Sequence, residues 1–204
     1  MKTTASIAAL ALIAGAANGQ LELTTNGDFE AGDTSGWESF PTGDSSFDVT
    51  ANAADVFAGE FSGVLGNVAT GSAAVIKQAN IGIGQVMPGM DVEISFWAKA
   101  TNEVGGVNFA EFFSELDGGG TSSNEILGGG PLFAGSDWTF FSFSTTAGAD
   151  VSGGITLQFT ATTGANIGST SEIFLDDVSV QIIPAPASAA LLGLGGIAAI
   201  RRRR

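Results

Sequence analysis

The sequence predicts an all-β fold, a sandwich or barrel of about eight or nine antiparallel strands, and three observations carry that expectation. Glycine is abundant, at 30 of 204 residues, and much of it falls in clusters such as Gly118-Gly119-Gly120 and Gly128-Gly129-Gly130-Pro131. Between the clusters lie short runs rich in Val, Ile, Phe and Thr, residues that suit a pleated, half-buried surface. Away from its two ends, the chain shows no apolar spacing of helical period.

Taken in order, the expected strands are 21–25, 47–51, 61–68, 73–81, 90–100, 107–116, 138–146, 155–161 and 172–183. Their breaks are turn-forming pairs and triplets: Gly32-Asp33, Pro88-Gly89, the two glycine clusters and Gly153-Gly154. Alternation is clearest over 90–100. There Val92, Ile94, Phe96 and Ala98 share one face, and Glu93, Ser95, Trp97 and Lys99 share the other. In the last strand the same count places Phe174, Asp176, Val178, Val180 and Ile182 together. Asp176 then falls on the apolar parity, where an unpaired carboxylate is costly, so it sits at a rim or holds a cation. No internal repeat is visible.

Charge is confined by segment. All 21 acidic residues lie between residues 20 and 183, against only Lys77 and Lys99, so this region carries a formal −19. Such a body repels nucleic acid and anionic headgroups and attracts divalent cations. The chain has no Cys, which excludes disulfides and thiolate metal sites, and no His, which excludes serine–histidine and cysteine–histidine catalysis. Carboxylates alone remain for chemistry.

The two ends read as targeting segments flanking a domain of residues 20–183. Residues 1–19 combine Lys2, an apolar run from residue 7 to 17 and small residues before Gln20, the parts of a secretory signal helix removed by signal peptidase. Cleavage is expected after Gly19 or after Ala17. Residues 184–204 run from Pro184-Ala185-Pro186 through a short apolar segment, expected as a hydrophobic helix, to Arg201, Arg202, Arg203 and Arg204. The apolar part is shorter than the ~20 residues of a stable span. The arginines hold the tail on the cytoplasmic side and leave the domain outside. This tail resembles the PEP-CTERM sorting signal, with Ala185 where that family has Glu. The resemblance implies recognition by an exosortase and display at the cell surface or in the extracellular matrix, with the membrane touched only through the tail.

A second resemblance rests on Asn26-Gly27-Asp28-Phe29-Glu30, Gly36-Trp37, Gly59-Glu60-Phe61-Ser62-Gly63, Ile94-Ser95-Phe96-Trp97-Ala98, Trp138-Thr139-Phe140-Phe141-Ser142-Phe143 and Phe174-Leu175-Asp176-Asp177-Val178-Ser179-Val180. Together these look like the carbohydrate-binding-module jelly rolls attached to xylanases and cellulases. The resemblance implies a jelly-roll β-sandwich and a structural calcium joining the first and last strands. Its matching ligands are Glu30, Asp176 and backbone oxygens near Ser62 and Gly63, with Asp28 as an additional one; Ca²⁺ favours such oxygen donors and needs neither His nor Cys. The alternative is a pair of rim carboxylates facing water.

Among the three tryptophans, Trp37 and Trp138 are expected to be structural. Trp97, on the parity of Glu93 and Lys99, is the candidate sugar platform, with those two side chains available to sugar hydroxyls. The expected function is a non-catalytic surface module that binds extracellular polysaccharide. A purely structural exported protein is the alternative. A carboxylate-pair glycosidase or lyase is a third reading, disfavoured because the chain has no spare length for a catalytic scaffold.

Overall fold

Runs that alternate apolar and polar residues bury one face and satisfy their backbone groups by lateral pairing, so they assemble as sheets. The computed structural model describes residues 19–183; the signal reading up to residue 18 and the tail from residue 184 lie outside the described residues. The strands are β1 (Leu21–Glu22), β2 (Glu38–Phe40), β3 (Ser45–Thr50), β4 (Ser62–Asn67), β5 (Ala73–Ile81), β6 (Asp91–Glu103), β7 (Val107–Glu115), β8 (Thr121–Ile126), β9 (Thr139–Thr146), β10 (Ile155–Thr162) and β11 (Thr170–Ile183). No α-helix occurs among the described residues, where a single 3-10 turn spans Leu127–Gly129. No helix among them is long and apolar enough to cross a membrane.

Two antiparallel sheets form the sandwich. The first has the order β3-β4-β11-β6-β9, with β1 paired to the far end of β11, and the second has the order β2-β5-β10-β7-β8. The count is eleven rather than eight or nine. The two additional strands, β2 and β8, are edge strands whose side chains are almost all exposed. They are held by backbone pairing to β5 and β7, so they carry no alternating apolar signature.

Between the sheets, Ile94, Phe96, Ile173, Leu175 and Val180 meet Ile76, Phe112, Leu157 and Phe159 in one apolar core. Its aromatic centre includes Phe96 edge-on to Phe159 at 4.9 Å, and Trp37 packed against Phe29, Phe47 and Phe159. Trp37 is therefore a core residue, as expected.

The Asn26–Glu30 motif has a definite physical role. Asn26 Nδ2 donates to the carbonyls of Asp33 and Ser35, its Oδ1 accepts from Ala31 N–H, and its own carbonyl accepts from Trp37 Nε1. Position 27 must be glycine, because a Cβ there would collide with the Val178 carbonyl oxygen.

The last strand departs from simple alternation. Asp176 lies opposite Trp97, but Ser179 lies opposite Ser95, so three steps on β11 match two on β6. This bulge, with Asp177 at φ 47°, reverses the parity. Ile173, Leu175, Val178, Val180 and Ile182 thus face the core, whereas Phe174 and Asp176 belong to the outer face of the first sheet. The face-sharing expected for Asp176 with Val178, Val180 and Ile182 does not occur.

Candidate functional site

Each sheet has one face turned away from the core, and the two are finished differently. On the first sheet, residues 51–61 fold over the outer face of the middle of β6 and β11. Phe57 stacks on Trp97 with ring centroids 3.9 Å apart and planes 17° apart, and Phe140 lies 5.3 Å away. Lys99 Nζ donates to Asp55 Oδ1 and to the Ala54 carbonyl, both at 2.6 Å. It also lies 4.8 Å from the centroid of Phe174 and 5.6 Å from that of Trp138. Its side chain is only 12% exposed. Glu93 points to solvent and accepts from Gln20 Nε2. Trp97 and Lys99 therefore lie together under this cover, and Glu93 stands outside it. The face of Trp97 that a sugar would need is occupied by Phe57, and the Lys99 ammonium is spent on residues 54 and 55.

Two carboxylates fasten this cover. Asp176, 0% exposed, accepts the N–H groups of Phe57 and Ala58 on Oδ2 and that of Asp177 on Oδ1. Burial pushes its pKa up, partly opposed by those three N–H donors. Glu30 Oε1 accepts from the N–H groups of Glu60 and Phe61. Gly59 passes so close to this carboxylate that a Cβ would overlap it, and the residue adopts φ +72°. Glu30 and Asp176 thus fasten the same five-residue stretch, residues 57–61.

The other residues named with them have partners of their own. Asp28 Oδ1 accepts from Glu30 N–H at 3.3 Å, the Ser62 hydroxyl donates to the Asp55 carbonyl, and Gly63 lies within β4 between two paired strands. Among the described residues no three acidic side chains converge in a metal-binding cluster.

The outer face of the second sheet has a different construction. Strand pairing aligns Glu38, Lys77, Gln158, Glu111 and Ile126 in one row across all five strands. At about 4.8 Å per strand the row is ~19 Å long. A parallel row holds Phe40, Val75, Thr160 and Phe109. Glu111 is the polar centre: its Oε2 accepts from Gln158 Nε2 at 2.7 Å and from Thr160 Oγ1 at 2.8 Å. Two residues to either side on β7, Phe109 and Phe113 stand on the same face, both half-buried. Lys77 lies over Phe40, 4.8 Å from its centroid. A carboxylate, an amide and a hydroxyl between aromatic rings can accept and donate to hydroxyl groups while the rings take C–H faces.

None of these residues was singled out by the sequence reading. The available signal was the alternation Phe109-x-Glu111-x-Phe113, opposite the parity of Asn108, Ala110, Phe112 and Ser114. The latter set, with only one large apolar side chain, is the one that faces the core.

The family profile described as "Carbohydrate binding domain" (CBM_4_9) matches residues 21–166. No curated protein matches the sequence. Among solved structures, the xylan-binding CBM22-1 domain of Paenibacillus barcinonensis Xyn10C is similar at 16% identity and TM-score 0.55, covering 81% of this chain and 94% of that one. The enzymatically active domain of bacteriophage CBA120 tailspike protein 4 is similar at 17% identity and TM-score 0.61, covering 79% of this chain. This chain spans only 21% of that structure. A Stig cyclase from Fischerella sp. TAU is similar at 12% identity and TM-score 0.58, covering 82% of this chain and all of that one. At these identities the structural likenesses show the sandwich fold and no more.

Proposed function

The chain belongs to the carbohydrate binding domain family, and from that premise we propose that it is a non-catalytic jelly-roll module that holds extracellular polysaccharide on the outer face of its second sheet. The observation that carries this reading is Glu111, hydrogen-bonded to Gln158 and Thr160 and flanked by Phe109 and Phe113. A row crossing five strands suits an extended chain better than a single sugar, and xylan is the first polymer to try, given the CBM22-1 likeness. Glycosidic cleavage on this row is disfavoured. Its two carboxylates, Glu38 and Glu111, are three strand spacings apart, ~14 Å, against the ~5–9.5 Å that paired catalytic carboxylates need.

Affinity electrophoresis of wild type, Glu111→Ala and Trp97→Ala against soluble xylan, β-glucan and galactan tests the assignment. Retardation of wild type and Trp97→Ala, lost in Glu111→Ala, is the expected result. Retardation lost only with Trp97→Ala moves the site to the first sheet. Absence of retardation by any polymer leaves the purely structural role.

The export reading belongs to the same proposal: a signal segment through Gly19, and an exosortase tail with Pro184, Ala185 and Pro186 before its arginines, deliver the acidic domain to the cell surface. Mass analysis of the mature protein from its host is the test, and an intact tail would end it. For calcium, Glu30 and Asp176 would provide the carboxylate oxygens, because both fasten one loop and Asp176 is buried, where a divalent ion would offset the cost of its charge. A melting temperature that falls with chelator supports this; one that does not move removes the ion.

A further inference from the structure

Five strands have a free edge in the two sheets, and four of them carry a carboxylate: Glu22 in β1, Glu38 in β2, Asp48 in β3 and Glu125 in β8. Charged edges of this kind discourage pairing with another chain. The exception is β9. Its eight residues, Thr139-Phe-Phe-Ser-Phe-Ser-Thr-Thr146, include no charge and no proline, and its only sheet neighbour among the described residues is β6. Beside it, Leu127, Pro131, Leu132, Phe133, Phe141 and Phe143 line an apolar groove of about 440 Å³, and Phe133 is 89% exposed. Residues 126–149 contain one charged side chain, Asp137, in a domain of formal charge −19.

We propose that β9 is a self-association edge, at which two copies of this chain pair their β9 strands antiparallel about a two-fold axis through Ser142. The charge distribution selects a second copy as the occupant. Two bodies of −19 repel wherever acidic surfaces meet, and this neutral strip is where they can approach. With the axis at Ser142, Phe141 of each copy lies opposite Phe143 of the other, on the face turned toward the core. The nearest acidic side chains of the first sheet, Asp91 and Glu93 on β6, then stand at least three strand spacings from their counterparts, ~14 Å or more. That exceeds the ~8 Å screening length at physiological ionic strength. Association therefore strengthens with salt.

A two-fold axis perpendicular to the sheet also keeps both second-sheet faces on the same side. If those faces bind polysaccharide, as proposed above, the pair is bivalent.

The chain has no cysteine, so a single introduced one reports the geometry directly in the full-length protein. Directly opposed residues in an antiparallel pair have Cα atoms ~4.5–5.5 Å apart, within the range a disulfide spans. On mild oxidation, Ser142→Cys is expected to convert mostly to a disulfide-linked dimer, more completely at high than at low ionic strength. Ser46→Cys, on the opposite edge of the same sheet, stays monomeric, as does Ser144→Cys, displaced from the axis. A monomeric Ser142→Cys at every salt concentration overturns the proposal. So does cross-linking of Ser46→Cys or Ser144→Cys to an equal or greater extent. None of these outcomes depends on sugar binding.

Discussion

The two outer faces of the sandwich begin from similar materials and end differently. Both present aromatic rings beside carboxylates and one lysine. On the first sheet the rings are stacked on one another beneath residues 51–61, and the charges are consumed in fastening that cover. On the second, Glu111 is bonded only to neighbours on its own face, Gln158 and Thr160, and Phe109 and Phe113 stand to either side of it. An aromatic side chain is available for recognition only when no intramolecular partner has taken its face, and strand parity cannot report that.

The contrast can be broken or sharpened by substitution. The largest effect is expected from Glu111→Ala, which removes the shared acceptor of Gln158 and Thr160. Polysaccharide affinity should fall at least ~10-fold, about 1.4 kcal/mol, with little change in melting temperature. Trp97→Ala should do the reverse, leaving affinity intact and costing about 3 kcal/mol of stability.

Next comes Asp176→Ala, which strands the N–H groups of Phe57 and Ala58. At about 1–3 kcal/mol per unpaired donor, a drop in Tm on the order of 5–10 °C is expected, read by calorimetry. A neutral result would mean the cover is held by its aromatic contacts alone.

Phe57→Ala is milder: it uncovers one face of Trp97, so iodide quenching of tryptophan fluorescence should rise. If it does not, the stack is not what shields the ring.

The smallest effect is in the pH dependence of stability. Burial raises the pKa of Glu22, but hydrogen bonds from Ser179, Thr24 and the Val180 N–H outweigh it and hold the group below its ordinary value of 4.5. Because the folded pKa is the lower one, its contribution is present above 4.5 and fades as pH falls through the folded value. Glu22→Gln should therefore be less stable than wild type at neutral pH, and the difference should close in acid. Asp176 has the opposite sign. Its folded pKa lies above 3.8, so its ionisation costs stability as pH rises from 3.8 through the folded value. Asp176→Asn should flatten that part of the profile in chemical denaturation.

Much of the sandwich was legible from alternation and turn residues. The 73–81 strand matches β5, and the other eight expected strands differ from the observed ones only at their ends. What alternation missed follows from burial: β2 and β8 hide no side chain, so they leave no period to read. The bulge in β11 was equally silent, since one extra residue reverses every parity after it without altering composition.

The Asn26–Glu30 and Gly59–Gly63 motifs did lead to a real meeting place, the loop held by Glu30 and Asp176. The proposed sugar face did not announce itself. Its residues come from five strands, and Phe109, Glu111 and Phe113 stand beside Gln158 and Thr160 only because β10 pairs with β7.

Composition and spacing by themselves determined that residues 20–183 make sheets rather than helices, that this domain is acidic, and that the chain has neither thiol nor imidazole chemistry. These are local or additive properties, which is why they can be read without a fold. Tertiary structure decided which aromatic faces stay open and which carboxylates are tied to N–H groups. It also decided which edge is left without a charge, because each of these depends on what residues far apart in the chain place beside one another.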